Sequence, residues 1–320
     1  QDLGPEAMGD ICARVLPPGK GDDSPARYAV NALAVCAARP GAEEERARFA
    51  RVLLDTLGET RDEDVAVFLL SQVQLVGKQE SIRPLEAYLV DERLAGPAAA
   101  ALLTIGGPAA ETALLSALSE APRDARLVLI QSLGEARSRR AVSKLLPFAD
   151  SGDEGIRQAA LYALANIGDP ESGPVLTRSQ VASPLRERRK APSLYHLYAR
   201  RLVESGHTAE GLEAARAVLG SYRRPEESQQ ASEALALMVG TLGDRALPDV
   251  LEAAESTDRS FRGSALTLAA SIPGEDATAA RVVKARTTPL HLQADILAML
   301  GERGDATALP FVREGLGSED

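Results

Sequence analysis

Aromatic side chains are scarce in this sequence. Tryptophan does not occur, and aromatic residues make up only 3% of the 320 residues, although 45% of the residues are hydrophobic. The hydrophobic residues are mostly alanine, leucine and valine, and alanine and leucine are strong helix formers. This composition disfavours a β-sandwich or β-barrel. It predicts an all-α protein that is long enough for two domains or for an array of repeats.

The chain also lacks an excess of positive charge and long hydrophobic runs. It carries 36 basic and 46 acidic residues, a net charge of −10, whereas basic residues supply most of the non-specific affinity for nucleic acids. No hydrophobic stretch approaches the roughly 20 residues that a membrane-spanning helix needs. The sequence therefore predicts neither a nucleic-acid partner nor insertion into a membrane.

Residues that carry common chemistry are few and far apart. The three histidines, His196, His207 and His291, form no His-Glu-x-x-His or His-x3-His pair, so no set of zinc ligands stands out. No Gly-x-Ser-x-Gly elbow occurs, and no pair of carboxylates is set apart for acid–base work. We therefore expect no catalytic residues, no metal and no cofactor, and the protein is predicted not to be an enzyme.

Cysteine is rare as well, since the chain holds only Cys12 and Cys36. Both lie on apolar stripes of helices that are predicted to be antiparallel neighbours. A disulfide therefore forms if the Cα atoms come within about 7 Å, and two buried thiols are the alternative. Export would favour the disulfide. The start at Gln1 rather than Met fits either the cleavage of an export signal or a cloning boundary.

What the sequence does have is a repeated helical pattern. In residues 153–170, DEGIRQAALYALANIGDP, Asp153 is a typical N-cap, apolar residues follow on one stripe, and Gly168 is a typical helix end. One such helix cannot bury its stripe alone, so stacked copies are expected. Further glycine stops leave room for about two helices in each interval: Gly41, Gly77, Gly106, Gly134, Gly206, Gly243, Gly274 and Gly301.

These intervals predict a right-handed α-solenoid of about nine helical hairpins. We expect a single solenoid domain over residues 1–320, opened by a capping hairpin with a long loop over residues 1–41. The second helices of the hairpins are predicted over Pro25–Ala38, Glu63–Val76, Glu92–Ile105, Pro122–Leu133, Asp153–Ile167, Ala191–Ser205, Pro225–Leu242, Asp258–Ile272 and Pro289–Leu300.

The stretch from 153 to 176 resembles a HEAT repeat of the type found in phycobilisome-lyase-like HEAT proteins. The matching positions are Asp153, Arg157, Ala160, Leu164, Ile167, Gly168, Asp169 and Leu176. Residues 182–224 depart from this pattern toward an irregular, tetratricopeptide-like repeat. The N-terminal stretch is similar to segments that open HEAT regions in large exported bacterial proteins, which favours an extracytoplasmic location for what is then a fragment of a larger chain.

In arrays of this kind the second helices line the concave side, so the resemblance implies a groove there. The polar and aromatic residues expected to line it are Asn31, Ser71, Gln74, Gln131, Tyr162, Asn166, His196 and Arg200. A separate basic cluster, Arg186, Arg188, Arg189 and Lys190, is either a solvated connector or an acceptor for an acidic partner or an anionic glycan.

The hypothesis that follows is a non-catalytic scaffold whose groove binds a protein or another extended ligand. The isolated fragment is expected to be a monomer. Two alternatives remain at this point. The chain is an architectural spacer if the groove is smooth and rich in alanine, and it is a HEAT-like lyase or enzyme subunit if His196 shares a deep pocket with tyrosine and glutamate side chains.

Overall fold

The computed structural model describes residues 4–182, 191–222, 227–304 and 306–316, and every regular element in these ranges is a helix. The chain forms two compact units, unit 1 (Gln1–Ile167) and unit 2 (Gly168–Asp320). Within each unit, helices that follow one another pair as hairpins, and the hairpins stack side by side. The predicted all-α solenoid is therefore confirmed. The prediction of one domain over residues 1–320 stays a prediction.

The described residues of unit 1 form five hairpins, in which the even-numbered helix is the second helix. Each second helix packs against the second helix of the next hairpin, from α2 through α4, α6 and α8 to α10. Short 3-10 turns at Gln79–Ser81 and Arg139–Ala141 precede α5 and α9. The helices are α1 Pro5–Cys12, α2 Ser24–Ala37, α3 Glu43–Glu59, α4 Glu63–Val76, α5 Ile82–Glu86, α6 Ala95–Ile105, α7 Gly107–Ala117, α8 Arg123–Glu135, α9 Val142–Leu145 and α10 Glu154–Ile167.

Unit 2 repeats the same plan, and its second helices again contact one another in sequence, from α12 through α14 and α16 to α18. Short 3-10 turns open three of its first helices, at Pro170–Ser172, Gly243–Ala246 and Ala306–Ala308. The described helices are α11 Gly173–Ala182, α12 Ala191–Glu204, α13 Thr208–Ser221, α14 Ser228–Leu242, α15 Leu247–Ala253, α16 Arg259–Ser271, α17 Glu275–Thr287, α18 Leu290–Arg303 and α19 Leu309–Leu316.

Aspartate N-caps fix where several second helices begin. Asp62 accepts hydrogen bonds from the amides of Asp64 and Val65 at 3.1 and 3.0 Å. Asp153 accepts from the amide of Ile156 at 3.0 Å, as its position in the repeat predicts. Such a bond satisfies a backbone amide that has no partner within the helix, and it stabilises the helix by about 1 kcal/mol.

An arginine one turn after the start of a second helix ties that helix to the loop before it. In α10, a guanidinium nitrogen of Arg157 donates to the carbonyl of Ser151 at 2.6 Å. This explains the arginine of the repeat pattern, because its bond satisfies a loop carbonyl that the helix itself leaves without a partner. The same bond recurs from Arg27 to Leu16, from Arg126 to Ala121 and from Arg262 to Ser256.

Small residues bring neighbouring second helices into close contact. Gly134 does not end a helix, contrary to its predicted role as a stop. It lies buried inside α8, where an added Cβ would come within 2.7 Å of the Cα and Cβ atoms of Ala163 in α10. The residue that takes up the left-handed conformation after α8 is Arg137, with φ of 49°. Alanine is fully buried at four positions of α6, namely Ala95, Ala98, Ala99 and Ala101.

Replacing a helical glycine by alanine usually stabilises the helix. The close approach at Gly134 predicts the opposite effect on stability at this position. Gly134→Ala should lower the free energy of unfolding by about 1–3 kcal/mol, because the added methyl group forces α8 and α10 apart. Gly58 is the matched control, since it is also the penultimate residue of its helix but has no neighbour within 4 Å of an added Cβ. Gly58→Ala should raise stability by about 0.5–1 kcal/mol. Urea unfolding of both variants tests this, and equal effects would contradict the packing.

Candidate functional site

The residues predicted for the groove do lie on second helices, but several of them bind the neighbouring helix. In unit 1 the amide nitrogen of Asn31 in α2 donates to the Gln72 side chain in α4 at 3.0 Å. The Gln74 amide in α4 donates to the Thr104 hydroxyl in α6 at 3.2 Å. These bonds link consecutive hairpins, so the two predicted residues stabilise the stack.

Asn166 has the same role at a buried position. Its side-chain nitrogen donates to the carbonyl oxygen of Gly134 at 2.9 Å, at the point where α8 and α10 touch. Only 7% of Asn166 is exposed. The bond satisfies polar groups inside a close helix contact, where an unsatisfied group costs about 1–3 kcal/mol. Asn166 is therefore a structural residue of the stack.

Three other predicted residues lie at equivalent positions of their helices and face outward. Ser71, Gln131 and Tyr162 are exposed, and each lies two residues before a fully buried position of its helix, which places them on the same side of α4, α8 and α10. The Ser71 hydroxyl donates to the carbonyl of Phe68 at 2.6 Å. Tyr162 is half exposed, at 50%. A large aromatic side chain held outward on a rigid helix is a natural contact for a ligand.

Sequence reasoning missed three exposed hydrophobic side chains on the same helices. Tyr28 is 78% exposed, Val35 58% and Leu75 45%. Tyr28 and Val35 are at helical spacing from Asn31 in α2, and Leu75 follows Ser71 by one turn in α4. We call Tyr28, Val35, Leu75 and Tyr162 the apolar face of unit 1. Val35 and Leu75 carry no polar or aromatic group that would mark them in the sequence, whereas Tyr28, three residues before Asn31 on the same helix, is an aromatic position that could have been found.

In unit 2, His196 and Arg200 of α12 line a cavity of about 490 Å³ together with Ser193 and Glu233. The Nε2 atom of His196 is 3.4 Å from a carboxylate oxygen of Glu233. Its Nδ1 atom is buried and has no hydrogen-bond partner within the described residues. Burial lowers the pKa of His196, an effect that Glu233 opposes and the nearby Arg200 cation reinforces.

Within the described part of unit 2, His196 makes no hydrogen bond to a hydroxyl that could serve as a nucleophile. The Ser193 hydroxyl accepts a hydrogen bond from Gln230 at 3.3 Å. The Tyr198 hydroxyl donates to the carbonyl of Asp169 at 3.2 Å. Burial raises the pKa of Tyr198 above its usual range. Within the described residues neither hydroxyl is hydrogen-bonded to His196, a contact that general-base catalysis would require.

The two cysteines lie in different environments. Both cysteines are free thiols, with Cys12 buried and Cys36 exposed, so the disulfide considered from the sequence is not formed. Burial raises the pKa of Cys12 to about 11, which keeps it in the unreactive thiol form.

Within the described ranges no three His, Cys, Asp or Glu side chains are grouped to hold a metal, and no helix there is long and apolar enough to cross a membrane. The basic cluster lies outside the described residues: Arg186, Arg188, Arg189 and Lys190.

The family comparison bears on the middle of the chain. Residues 110–193, about a quarter of the sequence, match a family model described as HEAT repeats. This region includes residues 153–176, from which the resemblance was inferred. The phycobilisome-lyase-like subtype stays a prediction. Among curated proteins, none matches this chain.

Three of the solved structures that match this chain share less than 20% of its sequence. A crystal structure of an engineered protein is 19% identical, with 99% of this chain and 96% of that chain covered and a TM-score of 0.42. A second engineered protein is 17% identical, with 73% and 97% covered and a TM-score of 0.28. A crystal structure of Uso1-2 is 15% identical, with 96% and 52% covered and a TM-score of 0.24.

The cavity at His196 predicts that stability depends on pH. Because the folded state holds the pKa of His196 below its ordinary value of 6.5, the unfolded chain binds the proton first as the pH falls. The resulting stability is complete above pH 6.5 and is lost below it. His196→Gln should therefore reduce the loss of unfolding free energy between about pH 7.5 and pH 5.5. Gln131→Ala, an exposed substitution that removes no titratable group, is the control and should leave that loss unchanged. A loss that is the same in all three proteins would contradict the account.

The bond from Asn166 to Gly134 predicts a purely structural role. Asn166→Ala should lower the free energy of unfolding by about 1–3 kcal/mol, because it leaves buried polar groups without a partner. Gln131→Ala, on the exposed side of α8, should change stability by less than about 0.5 kcal/mol. Chemical unfolding of the two variants checks this, and a neutral Asn166→Ala would restore Asn166 as a candidate for ligand binding.

Proposed function

We propose that the protein is a non-catalytic repeat scaffold that binds a partner protein through the apolar face of unit 1. The observation that carries the proposal is the outward position of Tyr28, Val35, Leu75 and Tyr162. They lie on second helices whose other leucine, isoleucine and valine side chains are buried or half-buried. Hydrophobic side chains held in water on one side of a stack favour a protein partner, since contact removes their surface from water.

The composition of the face fits protein recognition. Tyrosine is over-represented among the residues that dominate binding energy at protein interfaces, because it combines a large apolar area with a polar tip and few rotatable bonds. Val35 and Leu75 add aliphatic surface, and Gln131 supplies an exposed amide. HEAT repeats, which match residues 110–193, commonly mediate protein interactions.

The stack also supports the proposal by holding the face in place. The bonds from Asn31 to Gln72 and from Gln74 to Thr104 join three consecutive second helices. Side chains on such helices lose little additional freedom when a partner binds, which reduces the entropic cost of association. The residues that stabilise the scaffold are therefore distinct from those proposed to touch the partner.

The two alternatives receive less support. A spacer would have a smooth groove without exposed aromatic residues, whereas Tyr28 and Tyr162 are at least half exposed. An enzyme subunit gains some support from His196 and Glu233, which do share a cavity. Against it, the Tyr198 hydroxyl donates to a backbone carbonyl, and His196 has no hydrogen bond to Ser193 in the described residues.

The proposal predicts that the two tyrosines are needed for binding and are dispensable for folding. Tyr28→Ser and Tyr162→Ser should each reduce recovery of the specific partner in pull-downs from the native source by about tenfold or more, because interface tyrosines are often worth 2 kcal/mol or more. Their unfolding free energies should stay within about 0.5 kcal/mol of the wild type, since both side chains are exposed.

Val90 provides the control for these pull-downs. It is exposed to 39% but lies outside the second helices, so Val90→Ser should retain the partner. If the tyrosine variants and the Val90 variant recover the same proteins in the same amounts as the wild type, the apolar face is not the binding surface.

A further inference from the structure

A cavity in unit 2 lies between two consecutive first helices. Residues of α13 and α15 form its sides, and it is also lined by Tyr222, which follows α13, and by Phe261 of α16. Its volume is about 410 Å³, within the range of about 300–1,000 Å³ that is usual for ligand cavities. It is separate from the cavity at His196, because no residue lines both.

Two carboxylates of this cavity have no partner among the described residues. Asp249 and Glu252 lie one turn apart on α15, and the side chain of neither makes a hydrogen bond or an ion pair there. By contrast, the nearby Glu255 carboxylate, which does not line the cavity, is paired with Lys284 at 2.8 Å. The negative charge of Asp249 and Glu252 is therefore available to a ligand.

Tyr222 and Phe261 give the cavity an aromatic wall. Their ring centroids are 5.0 Å apart, and the rings are tilted by 54°. The Tyr222 hydroxyl donates to the Asp258 carboxylate at 2.7 Å, and Asp258 caps α16 by accepting from the amides of Ser260 and Phe261. These bonds fix the Tyr222 ring beside the cavity. An aromatic ring attracts a cation that lies over its face.

One cation lines the cavity as well. Arg216 of α13 is exposed, and within the described residues its side chain forms no ion pair with Asp249, Glu252 or any other group. Two carboxylates and one guanidinium leave the described lining with a net charge of −1. Residues 223–226, which follow Tyr222, lie outside the described residues.

We propose that this cavity binds a lysine or arginine side chain of a peptide segment. The cationic end would bind the carboxylates of Asp249 and Glu252, since hydrogen bonds between charged groups are strong. The hydrocarbon stem would pack against the aromatic wall formed by Tyr222 and Phe261. An acidic segment or a nucleic acid would meet two unpaired carboxylates and be repelled. The site shares no residue with the apolar face of unit 1, so neither proposal depends on the other.

The test measures binding of labelled peptides to the full chain by fluorescence anisotropy. The probe is an eight-residue peptide in which lysine alternates with serine, and the comparison peptide carries acetyl-lysine, which keeps the stem and removes the charge. We expect saturable binding of the lysine peptide and binding of the acetyl-lysine peptide that is weaker by about tenfold or more. Asp249→Asn and Glu252→Gln should each weaken binding of the lysine peptide about fivefold or more, whereas Arg216→Gln should leave it unchanged or strengthen it.

Gly220 allows the cavity to be narrowed without a change in its charge. It is a helical residue of α13 that lines the cavity, and an added Cβ would have no neighbour within 4 Å. Gly220→Leu should weaken binding of the lysine peptide about tenfold or more. Its melting temperature should stay the same or rise, because leucine is a better helix former than glycine.

Two controls separate this proposal from general charge effects and from the apolar face. Glu302→Gln removes an exposed carboxylate of α18 that lies outside the cavity and should leave peptide binding unchanged. Tyr162→Ser should also leave it unchanged, even if it abolishes the pull-down.

Four results would overturn the proposal. The lysine peptide does not bind saturably, or the acetyl-lysine peptide binds as tightly. The Asp249 and Glu252 variants bind the lysine peptide as the wild type does. Arg216→Gln weakens binding, which would indicate an anionic ligand. Free spermine binds more tightly than the peptide, which would indicate a polyamine in place of a protein side chain.

Discussion

The contact between successive second helices is the interaction on which the rest of this structure depends. A single amphipathic helix has no partner for its hydrophobic stripe, and each hairpin here buries that stripe only by lying against the next. At Gly134 and Ala163 the helices approach so closely that no additional carbon fits. This spacing brings Asn166 within reach of the Gly134 carbonyl, so that packing and polar bonding support each other at one place.

This constraint divides the polar and hydrophobic residues of unit 1 into two roles. Polar side chains at the edges of the helix contacts, such as Asn31 and Gln74, are taken up by bonds between hairpins. The positions that face away from the contacts remain for recognition, and hydrophobic residues occupy several of them. The proposed binding surface thus consists of positions that the helix contacts leave exposed, and we expect that its residues can change without loss of the fold.

Much of the fold could be predicted from the sequence, because the helix signals are local. The bounds of Glu63–Val76 follow from the Asp62 cap and the apolar stripe, and both match the structure. Where α6 begins was predicted three residues too early, because Asp91 caps the turn that precedes the helix. The candidate site was harder to predict. Whether Asn31 meets water or Gln72, which lies 41 residues away in sequence, depends on the stacking register, which no local pattern specifies. The exposure of Tyr28 and Leu75 depends on the same register.

Site-specific photo-crosslinking tests the central claim most directly, because it reports which side of the stack a partner touches. A photoreactive amino acid would be placed at position 162, on the apolar face, and separately at position 143, an exposed position on the first helix α9. After irradiation in extract from the native source, mass spectrometry would identify the crosslinked proteins. The account predicts one specific protein crosslinked from position 162 and not from position 143. Crosslinks to that protein from position 143 alone, or equally from both positions, would contradict it.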